Sequence, residues 1–287
     1  MDINAECAQC LLGRVLFQAR LAGTGKEFES VAAAVGALCE GFRPGRVSAQ
    51  VATEVHTAAY AAMGIKDPYW DLKIKSDFVA HEFAGDAELA IMESPDPFAE
   101  ATLMAVIGNV MDFGSGIAID HPDEFRGEFQ KLKAQGIGSD DTARFKDAVS
   151  KAGKVLYFFD NCGESVFDLL LINQIRVLGP KVVGVVRGEP ILNDVTLEDA
   201  KRIGLESGLD GLVTTGQFAI GADLSAAGED LRTEMSTADL LVAKGMANYE
   251  SFTGQDMGLP VVYLLRSKCA PVAESLGVPV GVNVVRY

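Results

Sequence analysis

Hydrophobic and polar positions alternate in two different rhythms along the 287 residues. From residue 2 to about residue 150, apolar side chains recur three or four apart, which predicts helices over 5–22, 27–41 and 47–63. The KDPYWD stretch reads as a turn holding the only tryptophan, Trp70, with a helix onward through Phe83. Asp96-Pro97 opens another helix, since proline suits the first helical turn. That helix is expected to carry FAEATLMAVIGNVMDFG until Gly114 and Gly116 stop it. Segments 124–135 and 141–152 complete a region read as all-helical.

The rhythm changes after Gly153. KVLYFF, KVVGVVR, LDGLVTT, ADLLVAK and PVVYLL are short apolar runs of the kind buried on both faces of a parallel sheet. Helical segments begin at Glu164, Thr196, Ala226 and Cys269 between them, and VGVNVVRY is expected to add an edge strand. The alternation predicts an α/β fold with right-handed crossovers over a mainly parallel, Rossmann-like sheet. The expected division is residues 1–152 for the helical region and 153–287 for the α/β domain. Ligands of such sheets bind beyond the carboxyl ends of the strands.

Charge narrows the partners. With 25 basic and 40 acidic residues the net charge is −15, which repels nucleic-acid backbones. No segment is apolar for long enough to span a membrane, and MDINAECAQC lacks the basic flank and apolar core of a signal peptide. Five cysteines without an export signal argue against a disulfide framework, so cytoplasmic residence is expected. The three histidines, His56, His81 and His121, stand at no metal-binding spacing.

The chemistry collects at strand ends. The first strand runs into Asp160 and Asn161, with Glu164 opening the next helix; the second leads to Arg187, Asn193 and Asp194. Lys244, Asn248 and Glu250 follow the fourth, and Arg266, Lys268 and Cys269 the fifth. Asp160, Asn161 and Asp194 form a hard oxygen set suited to Mg²⁺ or Mn²⁺. Lys244 and Lys268 suit phosphate oxygens, and Gly163 and Gly245 would let backbone N–H groups approach an anion. Metal, cations and helix N-termini together make a phosphoryl-transfer constellation.

FDNCGESVFDLLLI, NDVT, AKGMANYES and LLRSKCAPVAESLGV together resemble the damage-control phosphatases, formerly domain of unknown function 89. CAQC and IGNVMDFG resemble the prokaryotic branch of that family, and the resemblance spans essentially the whole chain. It implies a helical domain joined to a three-layer α/β/α domain, and metal-dependent hydrolysis of sugar phosphates or damaged phosphometabolites. The implied cofactor is a divalent metal (Mn²⁺, Mg²⁺, Co²⁺ or Ni²⁺) on Asp160, Asn161 and Asp194. Lys268 would hold the substrate phosphate, with Lys244 and Asn248 as further substrate contacts. Asn109 and Asp112 would face the site from the helical domain, unless they form a polar patch at a helix end. Glu164 would serve in proton transfer, or else only complement the helix dipole. Either a water or an aspartate would be the nucleophile.

Cys7 and Cys10 share a helix face; burial, a place near the crevice, and a redox or soft-metal role stand as alternatives. AGTGKEF lacks the first glycine and the Ser/Thr of a phosphate-binding loop, and GSGIAI lacks a third glycine. Cys162 stands where a haloacid-dehalogenase phosphatase has its second aspartate. An S-adenosylmethionine-dependent methyltransferase and a non-catalytic metal or metabolite sensor are the rival readings. The former is disfavoured by the missing glycine-rich loop after the first strand.

Overall fold

The computed structural model describes residues 1–113 and 121–287. Five helices come first: α1 (Glu6–Ala22), α2 (Glu27–Gly41), α3 (Ser48–Met63), α4 (Trp70–Glu93) and α5 (Pro97–Gly108). Asp96 caps α5 by accepting the Ala99 N–H, with Pro97 in the first turn, as the sequence predicts. α4 runs ten residues past the expected end at Phe83, because Gly85 stays helical in its interior. A single interior glycine costs only about 1 kcal/mol, which tertiary packing overrides.

α5 departs in the other direction. It ends at Gly108, and Asn109 turns the chain away; the expected stops Gly114 and Gly116 lie outside the described residues. A Cβ at Gly108 would lie 3.1 Å from the Glu164 Cα, so the glycine permits close helix packing while Asn109 is drawn into the site.

α6 (Phe125–Gln135) and α7 (Thr142–Lys151) flank a two-residue strand, β1 (Ser139–Asp140), so the region before Gly153 is not wholly helical. The remaining elements alternate: β2 (Lys154–Phe158), α8 (Glu164–Val177), β3 (Lys181–Val186), α9 (Leu197–Arg202), β4 (Gly211–Thr214) and α10 (Glu229–Thr237). They continue as β5 (Leu240–Lys244), α11 (Gly245–Phe252), β6 (Val261–Arg266), α12 (Ala270–Leu276) and β7 (Asn283–Arg286). The sheet order is β1-β7-β6-β5-β2-β3-β4. Strands β2 to β6 pair parallel, and β7 is antiparallel to β6. β7 is not the expected edge: β1 pairs with it in parallel and covers it.

Side-chain alternation builds two cores from each central strand. Val155 and Tyr157 of β2 face α4, α5 and α8, in a cluster that runs from Leu11 to Val285. Leu156 and Phe158 face α10 and α11 on the other side. One core therefore joins the helical region to the sheet. Among the described residues no helix is long and apolar enough to cross a membrane.

The chain leaves β2 for β3 and β4 on one side, then returns to β5 on the other. This reversal puts a crevice at the carboxyl ends of β2 and β5, the place where open α/β sheets bind ligands.

Candidate active site

Asp160 and Asn161 leave the end of β2, and Asp194 reaches the same point from the loop after β3. Backbone bonds fix the pairing: the Val195 N–H donates to the Asp160 carbonyl at 2.8 Å, and the Cys162 N–H to the Asn193 carbonyl at 2.8 Å. Asn161 and Asp194 form an antiparallel bridge. All three residues line a cleft of about 780 Å³, together with residues of α1, α3 and α11.

The carboxylates are tightly held. Asp160 Oδ2 accepts from Asn161 Nδ2 at 2.8 Å and from Asn109 Nδ2 at 3.1 Å. Arg187 donates from Nε to Asp194 at 2.6 Å, and a second nitrogen lies 3.5 Å from Asp160 Oδ1. Gly245 has φ +74°, and a Cβ there would lie 1.8 Å from Asp160 Oδ2. The glycine expected to admit a ligand anion instead admits the protein's own carboxylate. Gly163 is likewise engaged: its N–H donates to Asp77 at 2.7 Å.

Burial pushes Asp160 well above the usual carboxylate range, and the charges of Asp194 and Glu164 add to the rise. Asp194 is also raised by burial, against the pull of Arg187. Crowded acidic oxygens of this kind suit a hard cation. Among the described residues, no hydrogen-bond donor reaches Oδ1 of Asn161 or Oδ1 of Asp194. No three His, Cys, Asp or Glu side chains of the described residues gather as a metal cage. Two carboxylates and one amide thus fit a divalent ion that keeps open positions for water or phosphate oxygens.

Adjoining these residues is a second, closed network. Glu164 is fully buried and accepts from Asn109, Asn161 and Lys244. Lys244 bonds Glu164 at 2.6 Å, Asp168 at 2.5 Å and the Ala105 carbonyl at 2.8 Å. Its three N–H groups are used, so it does not present the cleft with the free ammonium expected from sequence. Asn248 donates to the Phe159 and Lys244 carbonyls and accepts from Arg187, so its expected substrate contact is also replaced by internal bonds. Neither residue lines the cleft, nor does Glu164.

Lys268 lies closer to the expected arrangement. Its Nζ donates to the Asn109 carbonyl at 2.9 Å and to Asp112 at 2.7 Å. Asp112, which does line the cleft, also receives Arg14 at 2.9 Å. Burial opposes its charge, yet Arg14 and Lys268 hold Asp112 below the usual carboxylate range. Asn109 and Asp112 therefore bring the turn after α5 into the site.

Arg14 is the residue the sequence reading missed. It is the one Lys or Arg lining the cleft among the described residues. Its signal was present in the register: Cys7, Cys10 and Arg14 are spaced i, i+3 and i+7, which puts all three on one face of α1. Both cysteines line the cleft, as does Cys269. Burial raises all three thiols, Cys269 to about 11, so none is an activated thiolate.

His56, on α3, also lines the cleft, with Nδ1 3.1 Å from Gln18 Oε1. Burial, and then Arg14, push it down to about 3. Between that value and an unfolded value near 6.5, the unfolded chain binds the extra proton, so stability falls as pH falls through this window. The penalty reaches about 3 kcal/mol by pH 4. The expected result is that His56→Gln loses less stability than wild type between pH 7 and pH 4. Urea midpoints at both pH values check it, and equal losses would contradict the assignment.

The topological switch and the acidic residues gathered at it define an α/β protein with a ligand crevice at the carboxyl ends of its strands. The family model described as "Damage-control phosphatase ARMT1-like domain" matches residues 3–284, and the chain belongs to that family. A protein of Archaeoglobus fulgidus named damage-control phosphatase is 37% identical, covering 100% of this chain and 99% of that one. A second so named, from Pyrococcus horikoshii, is 29% identical over 99% of this chain and 97% of its own length. The crystal structure of a DUF89 family protein from Pyrococcus horikoshii superposes with a TM-score of 0.87, at 28% identity, over 99% of this chain and 98% of that one.

Proposed function

We propose that the protein is a divalent-metal-dependent phosphomonoester hydrolase acting on small phosphorylated metabolites, sugar phosphates or damaged phosphometabolites. The observation that carries this reading is the presence of Asp160, Asn161, Asp194 and Arg14 in the lining of one cleft. Relatives named damage-control phosphatases along the full chain support it. A cleft of about 780 Å³ suits a metabolite, not a polymer.

Mg²⁺, Mn²⁺, Co²⁺ or Ni²⁺ held by Asp160, Asn161 and Asp194 would supply Lewis-acid polarisation of a phosphoryl oxygen. The chain's own residues do the rest. Asn109 and Asn161 orient the Asp160 carboxylate, and Arg187 orients Asp194. Arg14 offers a fixed guanidinium to the phosphate oxygens, with Asp112 setting its direction. Lys268 lies outside the cleft lining and acts through Asp112, which it holds together with Arg14. On this reading the protein works in the cytoplasm, without nucleic-acid or membrane partners.

The test is hydrolysis of p-nitrophenyl phosphate by chelator-stripped protein, with each of the four metals restored separately. Activity returning with metal supports the assignment; folded protein inactive with all four overturns it. Arg14→Ala is expected to raise KM about 10- to 100-fold, the worth of a charge-assisted phosphate contact. Arg14→Lys should recover part of that loss. Unchanged KM in steady-state assays of Arg14→Ala would move phosphate binding elsewhere.

A further inference from the structure

The loop that delivers Asp194 contains the one non-glycine residue with positive φ among those described: Leu192, at φ +50°. The Asp194 N–H donates to the Ile191 carbonyl at 3.2 Å, which makes Leu192 the first central residue of a tight turn. Glycine normally fills such a position, because a Cβ is disfavoured there. Leu192 is nonetheless buried, and it lines the cleft beside Asp194.

The turn is tied down on both sides. Asn193 Nδ2 donates to the Met111 carbonyl at 2.7 Å, and the Asn193 carbonyl accepts from Cys162. The Leu192 N–H has a different kind of partner: it donates to the Tyr60 hydroxyl, 3.0 Å away on α3. Tyr60 is itself buried and packs edge-on against Phe218, with ring centroids 5.2 Å apart. A single side chain from the helical region thus holds the strained residue two positions before a candidate metal ligand.

We infer that Tyr60 is a positioning residue for Asp194: its hydroxyl holds Leu192 in the left-handed conformation that aims the Asp194 carboxylate into the cleft. The inference rests on the phosphatase reading above for what Asp194 binds, but not for how the turn is held. It also gives the helical region a duty in the site beyond walling the cleft. Strain of this kind persists only where surrounding structure enforces it, and here the enforcing contact crosses between the two halves.

The test compares wild type, Tyr60→Phe, Leu192→Gly and the double variant by Mn²⁺ titration calorimetry and amide hydrogen exchange. Tyr60→Phe keeps the ring and its packing but removes the acceptor. It is expected to weaken Mn²⁺ binding about 10- to 100-fold, the usual effect of losing a group that orients a metal ligand. It should also speed exchange of the Asp194 amide.

Glycine adopts positive φ without strain, so Leu192→Gly no longer needs the clamp. The double variant is therefore expected to bind Mn²⁺ within about threefold of Leu192→Gly alone, with slow Asp194 exchange restored. If Tyr60 only packs, Tyr60→Phe keeps that packing and leaves Mn²⁺ affinity and Asp194 exchange at their wild-type values. Wild-type Mn²⁺ affinity in Tyr60→Phe, or a double variant no better than Tyr60→Phe, overturns the inference. If wild type binds no Mn²⁺, the metal reading falls, and exchange alone decides: unchanged Asp194 exchange in Tyr60→Phe overturns the clamp, and faster exchange reversed by Leu192→Gly sustains it.

Discussion

Asp160→Asn is expected to lower metal-supported phosphate-ester hydrolysis by about 10³-fold or more while leaving the fold intact. The substitution is close to isosteric. Asn161 Nδ2 and Asn109 Nδ2 now donate to Asp160 Oδ2, and an amide oxygen in that place accepts both bonds. What disappears is one negative charge beside Asp194 and Glu164, buried where carboxylates repel. Metal-stripped Asp160→Asn should therefore melt no lower than wild type, and the relief of crowding favours a higher Tm. Loss of function with retained stability marks a residue kept for chemistry. Calorimetric Mn²⁺ titration alongside the hydrolysis assay checks both halves. A metal-replete, active Asp160→Asn would remove Asp160 from the metal set and undo the proposed mechanism.

Lys244→Met is expected to do the reverse, costing about 3–5 kcal/mol of stability, because it strands two buried carboxylates. Glu164 and Asp168 are both fully buried, and Lys244 is the cation between them. Burial alone would disfavour the lysine's charge, but Asp168 and Glu164 raise its affinity for the proton. Its stabilising contribution is therefore present below the ordinary lysine range and lost only as pH climbs beyond it. Adding Glu164→Gln and Asp168→Asn to Lys244→Met should recover much of the loss, since neutral amides no longer need a cation. Urea unfolding of the two variants reads this directly. A small stability change with a raised KM would return Lys244 to substrate binding.

The two lysines show why residue type at a strand end under-determines its role. Lys244 and Lys268 both follow parallel strands and both suit phosphate. Only three-dimensional packing brings Glu164 and Asp168 under one and Asp112 under the other. The same holds for the paired glycines. Gly163 and Gly245 look alike as helix openers, yet Asp77 takes the first N–H and Asp160 crowds the second.

The turn after α5 teaches the converse. Apolar periodicity carries the expected helix through Val110 and Met111, both of which are buried. The helix stops at Gly108 because Asn109 is needed at Asp160 and Glu164, which local pattern does not contain. Local rules break here at the site, as they commonly do where function constrains the chain.

By itself the sequence determined the α/β class, the run of helices that opens the chain, most element boundaries to within a few residues, and the candidacy of Asp160, Asn161 and Asp194. These follow from periodicity and from residues adjacent in the chain, which are local properties. The tertiary structure alone decided that β1 covers β7, that Arg14 shares one cleft with Asp160, Asn161 and Asp194, that Lys244 is a structural counter-ion, and that Tyr60 holds Leu192. Each of these joins residues far apart in sequence, Tyr60 and Leu192 by 132 positions. Pairings of that kind are set by how apolar faces stack into one core, and no spacing along the chain encodes them.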